Sequence, residues 1–300
     1  MKVGILGGGR WGQALARLVM AAGHEPFIAY RQERPPHILP STDDPPQVTA
    51  ACELIIVATS ADEVRNAIGL AKPGPRHRVV VAGRGLEPRS SQWLTDVVLE
   101  TSPVLRVGAL AGPAPVDEIL NGGLCAGVVA SEFAEVRELA TQALHSPRYR
   151  LYGSPDLVGV QLAGAMVPVL ATLTGVAKGL QGAGVGVHAM VLARGLEEAS
   201  RLARAMGANP MTFTGLAGVG DLVAAQAQPG HPNYDAGVAL TQGDREHGPV
   251  AIAKALRRLA AFRKVEMPLT EALCAIYGGL EPIEAVQQLM ARPATTEHHD

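Results

Sequence analysis

The first twelve residues constrain this chain more than any other segment. Val3–Leu6 is a short apolar run typical of a buried strand, and Gly7-Gly8-Gly9-Arg10-Trp11-Gly12 follows it with the spacing G-x-G-x-x-G. Apolar residues then recur at helical spacing through Ala22. A strand, this loop and a helix together indicate a dinucleotide-binding unit, with the pyrophosphate at the helix N-terminus. The alternative is a plain glycine-rich turn between a strand and a helix.

The composition is that of a globular enzyme. A chain of 300 residues suggests two domains, and 47% apolar residues can bury a full core. The net charge of -2 gives no reason to expect nucleic acid or an anionic membrane as a partner. Cys52, Cys125 and Cys274 lack metal-ligand spacing, so we expect reduced thiols in a cytoplasmic protein and no metal site. No secretory signal is expected, since the N-terminus itself reads as the first strand.

One segment is long and apolar enough to be tested as a membrane span. Residues 157–177 carry no charge over 21 positions, which is the length of a transmembrane helix. However, Gln161, Pro168 and two threonines interrupt it, and basic or aromatic flanking anchors are missing. We therefore interpret it as a helix buried on all sides within a larger domain.

Strand and helix patterns alternate in the first half of the chain. Alternation of this kind predicts an α/β fold with a mostly parallel, doubly wound sheet. The spacing of Ser60 and Glu63 is that of a capping box, so a helix should begin just after the third strand. Loops that leave the carboxyl ends of the strands should line the ligand crevice. The predicted strands are 26–30, 53–59, 78–82, 105–109 and 125–130, and the predicted ligand loops hold Thr59, Ser60, 83–85 and 110–114.

Helical periodicity dominates after residue 153. Four helices are predicted, over 156–176, 187–206, 250–262 and 282–290. Gly153-Ser154-Pro155 is a plausible boundary, which gives a dinucleotide-binding domain over 1–153 and a helical domain over 154–300. Residues 35–46 read as an irregular, proline-rich excursion.

A specific run of residues in the second half resembles a known family. The run consists of Arg194-Gly195-Leu196, Gly207-Ala208-Asn209-Pro210 and Gly215-Leu216-Ala217-Gly218-Val219-Gly220-Asp221-Leu222. Together with the glycine loop and Leu110-Ala111-Gly112-Pro113, it resembles the NAD(P)-dependent glycerol-3-phosphate dehydrogenases from residue 1 to about residue 290. The resemblance implies a Rossmann domain followed by an all-helical substrate domain. It also implies a homodimer, and hydride exchange between nicotinamide and a small ketone such as dihydroxyacetone phosphate.

The resemblance carries over to only part of the active site. Asp221 matches the family's catalytic-site aspartate, which orients a lysine. Arg84 stands where the family has a lysine near the substrate, and Asn233 and Gly112 match substrate-binding positions. The expected catalytic lysine is Val167 in this chain. The family's other lost groups, an asparagine, a threonine, an arginine and a further asparagine, fall at Pro168, Ala225, Pro232 and near Gly186.

These losses bear directly on the chemistry. Reducing a ketone requires a proton donor at the developing alkoxide, and valine cannot supply one. Three residues are candidates for that role, in the order Asp221, His188 and Lys178. His188 and Lys178 can equally be interpreted as ordinary surface residues. Two functions stay open: a dehydrogenase with weakened or redirected substrate use, and a catalytically silent dinucleotide-binding protein.

The cofactor is predicted to be NAD or NADP. The second strand is followed by Arg31 rather than by a carboxylate, and an arginine there can receive the 2′-phosphate of NADP. The alternative is that Arg31 is an arginine facing solvent. The residues predicted to bind the cofactor are Gly7, Gly9, Arg10, Trp11, Gly12, Arg31, Thr59 and Ser60.

Overall fold

The N-terminal half is built on a single sheet. The computed structural model describes residues 1–30 and 39–293, and within them the sheet has eight strands in the order β3-β2-β1-β4-β5-β6-β7-β8. Only β6 and β7 pair antiparallel to each other. The strands are β1 Lys2–Leu6, β2 Glu25–Ala29, β3 Ser41–Thr42, β4 Leu54–Val57, β5 Arg78–Val81, β6 Arg106–Ala111, β7 Cys125–Ala130 and β8 Tyr149–Ser154. The predicted doubly wound, mostly parallel sheet is confirmed.

Helices cover both faces of this sheet and build the second half of the chain. In the N-terminal half they are α1 Arg10–Ala21, α2 Pro45–Ala51, α3 Val64–Ala71, α4 Leu94–Thr101, α5 Val116–Leu120 and α6 Ala134–Leu144. In the second half they are α7 Leu157–Gly179, α8 Val185–Ala205, α9 Asp221–Ala227, α10 Pro232–Leu240, α11 Val250–Arg263, α12 Pro268–Tyr277 and α13 Pro282–Met290. The all-helical second half predicted from the periodicity is therefore confirmed.

The strands are buried on both sides because successive side chains point to opposite faces. In β4, Ile55 packs in the cluster that includes α2, α3 and α4, whereas Ile56 packs in the cluster that includes α1 and α6. This arrangement brings the carboxyl ends of β1, β2 and β4 together at one edge of the sheet, where α1 begins.

The long apolar segment is α7, the central helix of the second half. Every residue from 159 to 177 is buried, and 89% of its most apolar window lies inside the protein. Glycines allow backbones to approach it closely, since a Cβ at Gly175 would lie 2.0 Å from the carbonyl oxygen of Tyr234 on α10. The interpretation of this segment as a helix buried on all sides is confirmed.

Several elements differ from the sequence prediction. The capping-box helix begins only at Val64, because residues 61–63 form a turn and no side chain caps it. Helix α2 begins at Pro45, at the end of the proline-rich stretch 35–46 that we interpret as irregular, and runs to Ala51. Strand β8 was not predicted, and it extends to Ser154. We propose the domain boundary in the short connection between β8 and α7, next to the predicted break at 153–154.

Candidate active site

The first part of the candidate site is a cavity of about 590 Å³ at the carboxyl edge of the sheet. It lies where the strand order reverses between β1 and β4, which is where open α/β sheets bind ligands. Four residues predicted to bind the cofactor, Gly7, Gly9, Thr59 and Ser60, line it. The other lining residues are Leu6, Gly8, Ala29, Tyr30, Asp43, Pro45, Ala58, Glu63, Asn66, Ala67 and Leu70.

The glycine loop has the geometry that its spacing predicts. Gly7 turns the chain at φ +110°, a conformation that side chains other than glycine rarely adopt. A Cβ at Gly12 would lie 1.9 Å from the carbonyl oxygen of Gly7, and a Cβ at Gly8 would lie 1.8 Å from the Tyr30 ring. Gly9, by contrast, faces open space. The loop therefore packs closely against the protein at Gly8 and Gly12 and is open to a ligand at Gly9, where α1 begins.

Arg10 and Trp11 have partners within the protein. The Arg10 guanidinium forms an exposed ion pair with Asp117 of α5. Trp11 donates from Nε1 to the carbonyl oxygen of Ala82 at 2.9 Å and so ties α1 to the end of β5. These contacts give both side chains a role in holding the loop, and their predicted role in cofactor binding stays a proposal.

The cavity fits a dinucleotide on two observations. Thr59 Oγ1 is buried without a hydrogen-bond partner among the described residues, as expected of a group that meets a ligand. The open space at Gly9 also lies at the N-terminus of α1, which attracts phosphate. The sequence has no carboxylate directly after β2. Asp43, just after β3, supplies a carboxylate to the cavity instead. Arg31 lies outside the described residues.

The second part of the site is an ion pair between the two halves of the chain. Arg84 extends from the loop after β5, and Asp221 is the first residue of α9. Arg84 Nη1 lies 2.5 Å from Asp221 Oδ2, and Nη2 donates to Oδ1 at 3.0 Å. Nη2 also lies 3.4 Å from the carbonyl oxygen of Gly112. The contact is a two-pronged pair that brings together three of the predicted site residues.

A π-helical turn positions Asp221. Leu216–Gly220 forms this turn directly before α9, and a Cβ at Gly218 would lie 2.0 Å from the carbonyl oxygen of Phe213. Turns of this type are rare in proteins as a whole, and those that occur are often found at functional sites. The glycines of the Gly215–Leu222 run therefore allow the close packing that places Asp221 next to Arg84.

Burial controls the electrostatics of the pair. Asp221 is 4% exposed, whereas the Arg84 side chain is 34% exposed. Loss of solvent raises the pKa of Asp221, and the charge and hydrogen bond of Arg84 oppose that rise. Since Arg84 neutralises Asp221, the pair carries no net charge.

Comparisons with known proteins match the chain along its length. Residues 31–137 match the model of the N-terminal domain of NAD-dependent glycerol-3-phosphate dehydrogenase, and residues 156–287 match that of its C-terminal domain. Glycerol-3-phosphate dehydrogenase [NAD(P)+] of Symbiobacterium thermophilum is 36% identical, with 99% of this chain and 96% of that protein covered. The chain belongs to the NAD-dependent glycerol-3-phosphate dehydrogenase family.

Solved structures agree with this assignment. The crystal structure of glycerol-3-phosphate dehydrogenase from Coxiella burnetii has a TM-score of 0.87 and 26% identity, covering 97% of this chain and 99% of that chain. The enzyme from Saccharomyces cerevisiae, 18% identical with a TM-score of 0.81 over 97% of this chain and 99% of that chain, shares the fold. Both the family model and the relatives' names carry NAD or NADP, so the predicted cofactor class is confirmed at the level of the family.

Measured against the family pattern, three of the lost positions, Val167, Pro168 and Ala225, are buried, whereas Pro232 and Gly186 are exposed. Val167 is completely buried in α7, in the apolar core of the second half. Ala225 is 2% exposed, and Pro232 is the first residue of α10. Arg84 is the only basic residue paired with Asp221 in the described part of the chain. The resemblance pairs Asp221 with a lysine on α7. In this chain the basic partner of Asp221 is instead Arg84, which comes from the N-terminal half.

The two alternative proton donors fall in different places. His188, on α8, lies 2.9 Å from the amide oxygen of Gln226 through Nε2, which brings it to α9 one turn beyond Asp221. Lys178 is exposed in the last turn of α7, about 16 Å of helix rise beyond Val167. The structure does not bring Lys178 to the pair. Asn233 is half-buried at the second position of α10.

Sequence reasoning missed other polar groups near the pair. His231 Nδ1, Gln226 Nε2 and Tyr149 OH are all buried without a hydrogen-bond partner among the described residues. Electrostatic effects link the pKa of Tyr149 to Asp221 and Arg84, and the pKa of His231 to Arg84. Only their unpaired state in the folded chain marks them, since single polar residues outside a motif give no signal in the sequence.

A hollow of about 370 Å³ lies between the loop after β6 and helix α9, next to Gly112 and Asp221 in the chain, although none of Arg84, Asp221 and His231 lines it. Pro113, which follows Gly112, lines it on one side, and Ala224, one turn beyond Asp221, lines it on the other. None of its lining residues is a lysine or an arginine, and Glu118 contributes a carboxylate. This hollow favours a neutral or apolar group over a phosphate.

Proposed function

We propose that this chain is an NAD(P)-dependent oxidoreductase that uses dihydroxyacetone phosphate poorly and acts on another small ketone or alcohol. One observation carries the proposal: the Arg84 guanidinium is neutralised by Asp221, while the resemblance places the family's lysine at Val167, which is buried and apolar. When bound, the nicotinamide supplies or accepts a hydride.

Charge is the first argument for redirected substrate use. A phosphate group carries roughly -1.5 to -2 charges at neutral pH and is best bound by several charged donors. The Arg84–Asp221 pair offers no net positive charge, and the hollow between the loop after β6 and α9 has no lysine or arginine. Each missing hydrogen bond to a charged group forfeits about 1.5–3 kcal/mol. A carbonyl compound without a phosphate group does not need these charged donors in order to bind.

The Arg84 guanidinium can also contact a bound substrate. Its three contacts with Asp221 and Gly112 do not use all the N–H donors of a guanidinium. The remaining donors are available to a carbonyl oxygen, whose developing negative charge they would stabilise. In this role Asp221 orients the guanidinium, much as the resemblance assigned it to orient a lysine. We therefore propose Arg84 as the electrostatic stabiliser of the alkoxide.

Cofactor titration combined with turnover tests the proposal. Binding of NADH and NADPH would be followed by fluorescence, and oxidation of each by absorbance, with a panel of aldehydes, ketones and 2-oxo acids with and without phosphate. We expect binding of at least one cofactor and turnover of an unphosphorylated compound. Tight cofactor binding with no turnover of any compound would instead favour the silent dinucleotide-binding protein.

Two further proposals rest on the family resemblance and on the cysteine pattern, respectively. We expect a homodimer, and light scattering of the purified chain coupled to gel filtration would test it by a mass of twice 31.2 kDa. We also expect a cytoplasmic location, which fractionation of the source cells with antibody detection would test.

A further inference from the structure

His231 lies at the N-terminal end of helix α10, within the electrostatic influence of Arg84. It immediately precedes α10, and Pro232 begins that helix. Helix α10 is pressed against α7, because a Cβ at Gly237 would lie 1.9 Å from the carbonyl oxygen of Thr172. Helix α10 is therefore held against the central helix that carries Val167, and His231 lies at the N-terminal end of α10.

The imidazole of His231 is placed for a ligand. Its ring is half-buried, and Nδ1 is fully buried without a hydrogen-bond partner among the described residues. A polar atom in this state normally meets a ligand or an ordered water. Gln226 Nε2 and Tyr149 OH are unpaired in the same way, and the charges of the Arg84–Asp221 pair act on Tyr149 as the charge of Arg84 acts on His231.

The charged groups around His231 set its protonation. Burial and the positive charge of Arg84 lower its pKa below 6.5, whereas Asp235 on its own helix opposes that change. Asp221, also near Arg84, is held in the ion pair. At neutral pH the imidazole is therefore mainly neutral, and it gains a proton as the pH falls.

We propose that His231 is the proton donor and acceptor that replaces the family's lysine. The inference rests on the proposed function. In reduction, hydride adds to the carbonyl carbon, the C=O π electrons move to oxygen, and that oxygen takes the proton from Nδ1 of the protonated imidazole. In oxidation, neutral Nδ1 accepts the hydroxyl proton as hydride leaves the carbon. Solvent then restores the protonation state of His231.

The other candidates are less suited to this transfer. Asp221 is committed to two contacts with Arg84, and a proton on it would weaken the pair that orients the guanidinium. His188 has Nε2 engaged with Gln226. Lys178 is exposed at the far end of α7. Asp221 Oδ2 is also buried without a hydrogen bond, but it lies 2.5 Å from Arg84 Nη1, so of the four only His231 has a buried polar atom without either kind of partner.

The test compares His231→Asn and His231→Ala with wild type on the best carbonyl and alcohol substrates from the panel. His247→Asn is the matched control, since that side chain is 75% exposed on the surface. We expect His231→Asn to lower kcat about 10²-fold or more, with cofactor binding and melting temperature little changed. The wild-type oxidation rate should rise with pH to a plateau through a pKa below 6.5, and this limb should vanish in His231→Asn. Added imidazole should partly restore His231→Ala.

Each contrary outcome has a distinct meaning. Undiminished turnover with the acid limb retained in His231→Asn would overturn the role of His231 and leave the proposed function standing. A loss of kcat that keeps the acid limb and resists imidazole would show a structural role and equally overturn it. Failure of wild type to turn over any compound in the panel would overturn both proposals.

Discussion

Replacing Arg84 with alanine should destabilise the protein measurably without unfolding it. The substitution leaves the Asp221 carboxylate, 4% exposed, without its two contacts. Breaking a fully buried ion pair by removing one partner costs about 3–5 kcal/mol. The Arg84 side chain is 34% exposed, so water can reach the vacated space. We therefore expect a loss of about 2–3 kcal/mol in the free energy of unfolding, which for a chain of this size lowers the melting temperature by about 3–5 °C.

The loss should depend on pH with a definite sign. In Arg84→Ala the pKa of Asp221 in the folded state rises further above its unfolded value, because burial is no longer opposed. A carboxyl with a raised folded pKa binds its proton more tightly in the folded state. Its destabilising effect is therefore complete at neutral pH and is relieved as the pH falls through that pKa.

Thermal unfolding of wild type and Arg84→Ala at several pH values measures both effects. Arg194→Ala is a control, since it removes a surface ion pair with Glu197 and should cost at most about 1 kcal/mol. The double variant Arg84→Ala/Asp221→Asn should recover part of the stability, because the uncompensated charge is gone. Equal melting temperatures for wild type and Arg84→Ala, or a loss that does not shrink at low pH, would refute the buried pair.

The remaining predictions concern the cofactor side. NADPH should bind at least as tightly as NADH, and a clear preference for NADH that survives Arg31→Ala, measured by calorimetry, would contradict this. Gly12→Ala should lower the melting temperature and cofactor affinity together, because its Cβ would lie 1.9 Å from the carbonyl oxygen of Gly7. Gly9→Ala meets no neighbour within 4 Å, so it should keep wild-type stability and weaken only cofactor binding. Normal affinity in Gly9→Ala would mean that the pyrophosphate lies elsewhere.

Elements with a strong periodic pattern could be predicted from the sequence, whereas those defined by tertiary context could not. The six predicted strands and the four helices predicted after residue 153 all appear, with ends that differ by up to three residues. Helix α2 was missed because Pro45 and Pro46 read as loop signals, although proline is well tolerated in the first turn of a helix. Strand β8 alternates buried and exposed side chains over only four residues, which is too short a pattern to distinguish from a loop.

The candidate site was predictable residue by residue and not as an arrangement. Arg84 and Asp221 were each singled out, but their contact spans 137 positions of the chain and no local pattern encodes it. The resemblance places Arg84 near the substrate, whereas its anionic partner in the structure is Asp221. His231 carries no motif at all, and only the folded chain reveals that its Nδ1 is buried and unpaired.

The central claim is that the family's reaction is impaired because Val167, Ala225 and Pro232 replace polar groups. The most direct measurement is kcat and KM for dihydroxyacetone phosphate, with saturating NADH and then NADPH, beside the relative from Symbiobacterium thermophilum as control. The lost phosphate ligands should raise KM in either case, and kcat should be lower by about 10²–10⁴-fold where no residue delivers a proton to this substrate. A substitute such as His231 would show as restored kcat with KM still high. Turnover and KM both comparable to those of the control would contradict the account.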